Sequence, residues 1–535
     1  MTGVHRVLAW PAVQKLLRYD GAEMTHWEGD YKDTEHWLLG ISKDFGVPLL
    51  LDWPVDIYYS DAGMLNLERG RSIALNKEYV ENLCQKYFDS FHCTYPILDR
   101  KYFLEQVLPP VLQTSFSEAQ DGTCLVLLVL ALGSIAQEGV TGTSIVDQSG
   151  KHTGIRGGTV ERPPGLIYLN EARRRFGINI TNWNLTNLQT SILLSVYYAQ
   201  TSRNLEYWRM AILSCTMCQG LVKRVVRWDT IYSDRIARCF WMCSIMEGGL
   251  TGELGLDLPA VQTLQDSVPL PLFLSEPSQL SSKTNDDLII EYYFLAQITL
   301  RTLVNRARAS IKESRSLFLD DEPESQSRDY IMQELSAQLD AWRSHLPAII
   351  AWEEDRDEDV EMADTDMHIH REATTPVDPA STGKIDFKSI LSSSLRTRYK
   401  YAKFIIWRPY VYQVLHFPSN ATEHSYVCCQ KAIKAYCLWP LTFATFQPQR
   451  RLIPHLYEYT HTFFTILILV HVSSFSPILG PMLQSPPVAQ EIELSITLYL
   501  GWIRDMKSVH PVARWCWHLL KGIYKDHQLV REDQE

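Results

Sequence analysis

The sequence predicts an all-α protein, a large irregular body of many packed amphipathic helices with an acidic disordered insertion. Three observations predict it. Apolar residues recur at helical spacing in one stretch after another from Val7 to Tyr524. Strand-like alternation of useful length is missing, and so is an internal repeat of fixed period. The composition is that of an ordinary folded protein, 46% apolar and 21% charged over 535 residues, with 15 Trp and 26 Tyr to pack. A chain of this length exceeds the size at which one core usually stops growing, so two cores or one large helical body are both open.

The elements follow in chain order. Residues 7–17 predict a short amphipathic helix with Pro11 in its first turn, where a missing N–H costs nothing. From Asn76 the helical body starts, with Tyr79, Leu83, Tyr87, Phe88 and Phe91 at helical spacing. Residues 124–136 are almost wholly apolar and predict a central helix, whereas 137–162, rich in Gly, Thr and Ser, predict a mobile loop. Residues 166–176 and 187–200 predict a helical pair, and 204–222 another helix.

The stretch 235–246 predicts a helix that buries Ile236, Phe240, Cys243 and Ile245. Gly248 and Gly249 are expected to stop it, because adjacent glycines propagate a helix poorly and tolerate a left-handed turn. A compact loop over 254–259 follows. Residues 286–309 and 330–345 predict long amphipathic helices. Residues 353–384 break the pattern with E-E-D-R-D-E-D-V-E-M-A-D-T-D and then T-T-P-V-D-P-A-S-T-G, the composition of a solvated, disordered insertion. Helix resumes over 395–416, interrupted at Arg408-Pro409, and stretches 426–439, 454–472, 492–507 and 511–524 complete the set.

Chemistry is sparse along this chain. The formal net charge is −11, 51 Lys and Arg against 62 Asp and Glu, which argues against its bulk coating nucleic acid. The 11 cysteines are odd in number and scattered through apolar runs, and the opening M-T-G-V-H-R-V-L-A-W has no secretory pattern; together these favour reduced thiols in the cytosol or nucleus. The longest apolar runs, 125–132 and 463–472, fit core helices rather than membrane spans.

Cys215-Thr-Met-Cys218 is the single C-x-x-C and sits in an apolar helix without a second pair nearby. His455, His461 and His471 lack the i,i+3 or i,i+4 spacing of helical metal ligands, and His461 and His471 read as core. Asp286-Asp287 and Asp320-Asp321-Glu322 lack the D-D-x-x-D spacing that would hold magnesium and diphosphate, and nucleotide loops and a G-x-S-x-G elbow are missing. The basic stretches 223–227 and 396–403 read as solubilising faces of amphipathic helices. The expectation is therefore a non-enzyme with no catalytic residue and no metal ligand; a cofactor-binding residue is not assignable.

Several motifs carry a resemblance. Arg238, Phe240 and Trp241, then Gly255 and Pro259, then Val268-Pro269-Leu270-Pro271 form an R-x-F-W helix, a Gly-and-Pro loop and a V-P-L-P segment. This resembles the middle homology region of fungal-specific transcription factors, with Glu247-Gly248 standing where that family usually has Asp-Arg. H-R-V-L-x-W-P-x-V-x-x-L-L at the start resembles the segment after the family's zinc cluster and linker. Y-F-x-x-F-H-x-x-Y-P-I-L resembles the opening of its regulatory domain, where Pro96 ends the first helix and Asp99 to Phe103 caps and starts the next. Tyr207-Trp208, Ala211 and Gly220-Leu221 are similar to a further family helix, and Tyr399, Ile405, Arg408 and Pro409 to its Y-x-x-x-x-x-L/I-x-x-R-P helix.

The resemblance implies a pathway-specific fungal transcriptional regulator in the nucleus. Its parts would be an N-terminal segment over 1–75, the regulatory helical domain over 76–350, an acidic disordered linker over 351–385, and a C-terminal helical part over 386–535 that packs on the same body. The family's six-cysteine binuclear zinc cluster does not occur in this sequence, whose first cysteine is Cys84. Zinc and DNA contact are accordingly expected only through a cluster upstream of Met1; the alternative readings are a cluster-less co-regulator or metabolite-binding helical protein and, behind these, an all-α enzyme. A homodimer contact, transcriptional co-regulators and a small-molecule effector are the other partners the resemblance implies, with no membrane.

Overall fold

Asn76 opens the helical body: its side-chain oxygen accepts the Glu78 N–H at 2.9 Å, satisfying one of the amides that a helix start leaves without a partner. The computed structural model describes residues 7–8, 10–19, 76–117, 122–146, 152–159, 162–254, 261–274, 283–313, 323–352, 387–437, 452–453, 456–486 and 488–533. The predicted acidic insertion and most of the loop at 254–259 lie outside them. The described residues are overwhelmingly helical, as predicted.

The long helices are α1 Pro11–Tyr19, α2 Lys77–Phe88, α3 Thr123–Thr141, α4 Leu166–Asn179, α5 Leu185–Gln200, α6 Asn204–Val222 and α7 Ile231–Gly249. They continue as α8 Asn285–Glu313, α9 Pro323–Ser344, α10 Phe387–His416, α11 Glu423–Cys437, α12 Leu456–Ser474, α13 Val488–Met506 and α14 Pro511–Ile523. Local chemistry fixes many starts. Asn184 caps α5 and His510 caps α14, where Pro511 fills the first helical position.

The apolar α3 is the centre. By length and composition it could cross a membrane, yet 83% of it is buried within this body, which makes it a core helix. α2, α4 and α5 pack around it. Gly133 lets α2 approach, since a Cβ there would sit 2.2 Å from the Leu83 carbonyl oxygen. One continuous apolar core runs from Val7 to Val530 and takes in α3, α5, α6, α7, α12, α13 and α14. A smaller cluster joins α8, α9, α10 and α11 through Leu300, Met332, Ile406, Tyr410 and Cys428. The N-terminal helix is docked by Trp10, whose ring meets Tyr412 edge-on at 4.9 Å, and by the Ala12 N–H, which donates to His416 Nε2 at 3.3 Å.

The structure corrects the sequence reading at several points. α3 continues through Thr141, and the stretch expected to be a loop holds an antiparallel hairpin, β1 Ser144–Val146 with β2 His152–Arg156. Its reason is packing: Ile155 is fully buried against the helical body, and the Arg156 guanidinium donates to the Val140 carbonyl at 3.0 Å. α2 ends at Phe88, well before Pro96, and buries Val80 and Cys84 while Tyr79 stays exposed. The Asp99 carboxylate accepts the Tyr102 N–H at 2.8 Å and starts the next turn, as expected. α10 runs unbroken through Pro409. A mid-helix proline costs about 3 kcal/mol, and burial of Ile406, Trp407, Tyr410, Val411 and Val414 around it outweighs that.

Candidate regulatory core around the signature helix

The residues that carried the resemblance converge on α7. Thr230 and Ser233 form a reciprocal cap at its start. One turn in, the buried Asp234 carboxylate accepts three backbone N–H groups from the far segment: Leu272 at 2.7 Å, Phe273 at 3.2 Å and Leu274 at 3.2 Å. Phe273 has φ of 50°, a left-handed conformation unfavourable for a side chain of that size, and the donated hydrogen bonds hold it there. Arg238 completes the clasp. Its Nε lies 3.2 Å from Asp234, its Nη1 donates to the Leu98 carbonyl at 3.3 Å, and its guanidinium lies over the Phe273 ring. Burial lowers the Arg238 pKa from its ordinary value, while Asp234 pushes the other way.

The R-x-F-W positions thus divide their work. Phe240 is fully buried core, and the Trp241 indole N–H donates to the Pro269 carbonyl at 2.8 Å. Val268 and Pro271 face inward, whereas Pro269 and Leu270 are exposed. The V-P-L-P segment is therefore held by the signature helix at both of its ends.

Glu247, near the end of α7, closes the intervening loop at its base. Its carboxylate accepts the Val261 N–H at 3.2 Å and the Gln262 N–H at 3.0 Å, capping the turn Val261–Ser267. Burial raises its pKa to about 7, against the opposing pull of those two backbone donors.

Gly248 and Gly249 do not stop the helix; it passes through both and widens into a π turn over Leu250–Leu254. Their role is close approach. A Cβ on Gly248 would lie 2.8 Å from Arg301 Cδ and 2.9 Å from the Asn305 amide, and one on Gly252 would meet the Arg308 guanidinium at 1.7 Å. α8 passes directly beneath, and Arg308 donates to the Gly248 carbonyl and to the Tyr401 hydroxyl, each at 2.9 Å.

Alongside these arginines lies a polar cleft walled by α8, α10 and α12. Gln297, Arg301, Arg398, Tyr401, Glu458, Tyr459 and Thr462 line it, with Leu300 and Val304. Two guanidiniums face one carboxylate: Arg301 stands 3.9 Å and Arg398 3.8 Å from Glu458, beyond hydrogen-bond length. All three are buried. Burial alone would lower the Arg398 pKa, but Glu458, Tyr459, Tyr293 and Tyr95 outweigh it and hold the group charged. The free interior is about 20 Å³, room for one water.

The other sequence candidates go elsewhere. Cys215 and Cys218 on α6 face Cys239 and Cys243 on α7 as buried thiols, and burial pushes the last two well above the ordinary thiol range. Among the described residues no group of three or more His, Cys, Asp or Glu is placed to hold a metal ion. His461 is buried beside His510, and His471 packs against Phe475 and Tyr524. His455 and Asp320-Asp321-Glu322 lie outside the described residues, and Asp287 caps α8 by accepting the Thr284 N–H at 2.8 Å. The 396–403 stretch is not a solubilising face: Arg398 turns inward to Glu458, and Lys403 binds Asp340 and the Ser336 hydroxyl, each at 2.6 Å. Only 223–227 matches that expectation, an exposed turn in which Arg227 pairs with Asp229.

A helix clasped to a downstream segment and seated on buried arginines is the centre of this helical body. The comparisons with known proteins narrow this. Residues 84–344, just under half of the chain, match the family described as "Fungal specific transcription factor domain". The match contains α7, the V-P-L-P segment and the α8 arginines, while α1 and α10 lie beyond it. A relative from Aspergillus rugulosus, "Putative transcription factor ecdB", is 22% identical over 382 residues, covering 68% of this chain. The chain spans 58% of that relative's length. No solved structure matches the chain.

Proposed function

We propose that this chain is the regulatory body of a pathway-specific fungal transcription factor that works in the nucleus. The observation that carries this reading is the clasp of Asp234, Arg238 and Trp241 on the segment 268–274, since the residues that resemble the family's motif are the ones that tie α7 to that segment. Sequence-specific DNA contact belongs, on this reading, to a six-cysteine zinc cluster encoded upstream of Met1 or carried by a partner protein. The regulatory domain over 76–350 and the C-terminal part over 386–535 act as one unit that restrains or licenses activation, with co-regulators or a second copy as its partners. A two-state body of this kind responds to whatever binds one state better than the other.

The test is a reporter assay in a fungal host with residues 1–535 fused to an unrelated DNA-binding domain. Transcription from the tethered site is expected to change against the DNA-binding domain alone. An expressed, nuclear fusion that leaves the reporter at baseline, together with a transcript whose 5′ end adds no cysteine cluster, overturns the proposal.

A further inference from the structure

The N-terminal helix is capped by a residue 404 positions away. α1 has no acidic residue in its first turn, and Trp10 and Pro11 carry no side-chain oxygen for the amides that a helix start leaves over. The Ala12 N–H goes instead to Nε2 of His416, the last residue of α10, at 3.3 Å. One neutral form of that imidazole fits. His416 Nδ1 lies 2.8 Å from the Tyr412 carbonyl, which can only accept, so the ring proton sits on Nδ1 and the lone pair on Nε2 takes the Ala12 amide. A doubly protonated ring donates from both nitrogens and would turn a donor against that amide.

Electrostatics point the same way. With α1 in place, a charged His416 would face the positive end of that helix; with α1 gone, it sits at the negative end of its own α10. Burial lowers the His416 pKa from its ordinary 6.5, against the opposing pull of the Tyr412 carbonyl. Other ionisable groups on the surrounding elements point into solvent or have partners of their own. Lys15 of α1 and Glu423 of α11 are exposed, and Arg408 of α10 lies over the Phe404 ring. His424 of α11 stands 3.6 Å from Asp329, while on α12 Glu458 faces Arg398 and His461 lies beside His510. The Tyr412 ring stacks 4.2 Å from the imidazole.

We propose that α1 is a strap latched to the C-terminal helices by neutral His416 and let go when that imidazole takes up a proton. A helix of 9 residues does not persist alone in water, so release unwinds it as well. Val7, Leu8, Trp10 and Val13, all buried when docked, lose their cover, and so do the surfaces of α10 and α12 beneath them. The released state binds the proton more tightly. Docking is therefore at full strength above pH 6.5 and weakens as pH falls below it, by at most about tenfold per unit. This device stands on the fold alone, apart from the transcriptional reading.

The experiment is hydrogen exchange of the whole chain, read by mass spectrometry at about pH 7.5 and about pH 5.5 and corrected for the intrinsic rates. Protection over Ala12 to Leu16 is expected to fall several-fold at the lower pH, while the core amides of α3 keep theirs. His416→Gln supplies an amide oxygen that accepts the same N–H and does not titrate, so it is expected to hold α1 at both pH values. Trp10→Ala is expected to free α1 at both, with α3 still protected. Protection over 12–16 that is equal at the two pH values, or that falls as far in His416→Gln as in the unsubstituted chain, overturns the latch. A loss shared by α3, in acid or in Trp10→Ala, overturns it too, because the body then opens as one piece and α1 is no separate strap.

Discussion

Two carboxylates, Asp234 and Glu247, hold the signature region, and they respond differently to change. Asp234 satisfies three amides and a guanidinium from inside the core. Replacing it by alanine leaves Arg238 buried and uncompensated, a loss of about 3–5 kcal/mol. Asp234→Ala is expected to lower the urea midpoint by that amount and to expose Trp241, read as a red shift of its emission. Glu247 instead titrates near neutrality. Its folded pKa of about 7 lies above the ordinary glutamate value of 4.5, so the folded state binds the proton more tightly. The associated stability is fully present below pH 4.5 and is lost as pH rises through about 7, up to about 3 kcal/mol. Melting temperature is expected to fall between pH 5 and pH 8, and Glu247→Gln to flatten that part of the profile. A profile identical in the variant would assign the slope to other groups.

At the scale of elements, most helices are legible in the sequence but few of their interactions are. Residues 204–222 matched α6 to the residue, because an apolar stripe of 3.6 period needs no distant partner to be seen. Gly248-Gly249 misled for the opposite reason. Glycine signals either a stop or a close approach, and only the position of Arg301 and Asn305, more than 50 residues on, distinguishes them. Asp234 was equally hidden, since its partners lie 38–40 residues away along the chain. The cleft draws on Gln297, Arg398 and Glu458, positions that no local spacing connects. The close approach itself can be checked. Gly248→Val forces α7 off α8 and is expected to cost about 1–3 kcal/mol. Denaturant unfolding measures it, with Gly177→Ala, where a Cβ meets nothing within 4 Å, as the control.

Across the whole molecule, charge is arranged against a direct grip on DNA. The net charge is −11, and two of the cations of 396–403, Arg398 and Lys403, are committed to Glu458 and Asp340. Residues 1–535 alone are expected to give no anisotropy change with duplex DNA at physiological salt, and no steep loss of affinity between 50 and 200 mM salt, where phosphate contacts reveal themselves. A salt-dependent complex would overturn this expectation.

The clasp around α7 has one more consequence. Because Glu247 fixes Val261 and Gln262, and Asp234 fixes 272–274, the segment that begins at Val261 is anchored to α7 at two separate points. Lengthening the chain between 254 and 261 costs little, about 0.6 kcal/mol for each doubling. A short epitope spliced between Gly255 and Pro259 is therefore expected to become a handle on the helical body that leaves the clasp intact.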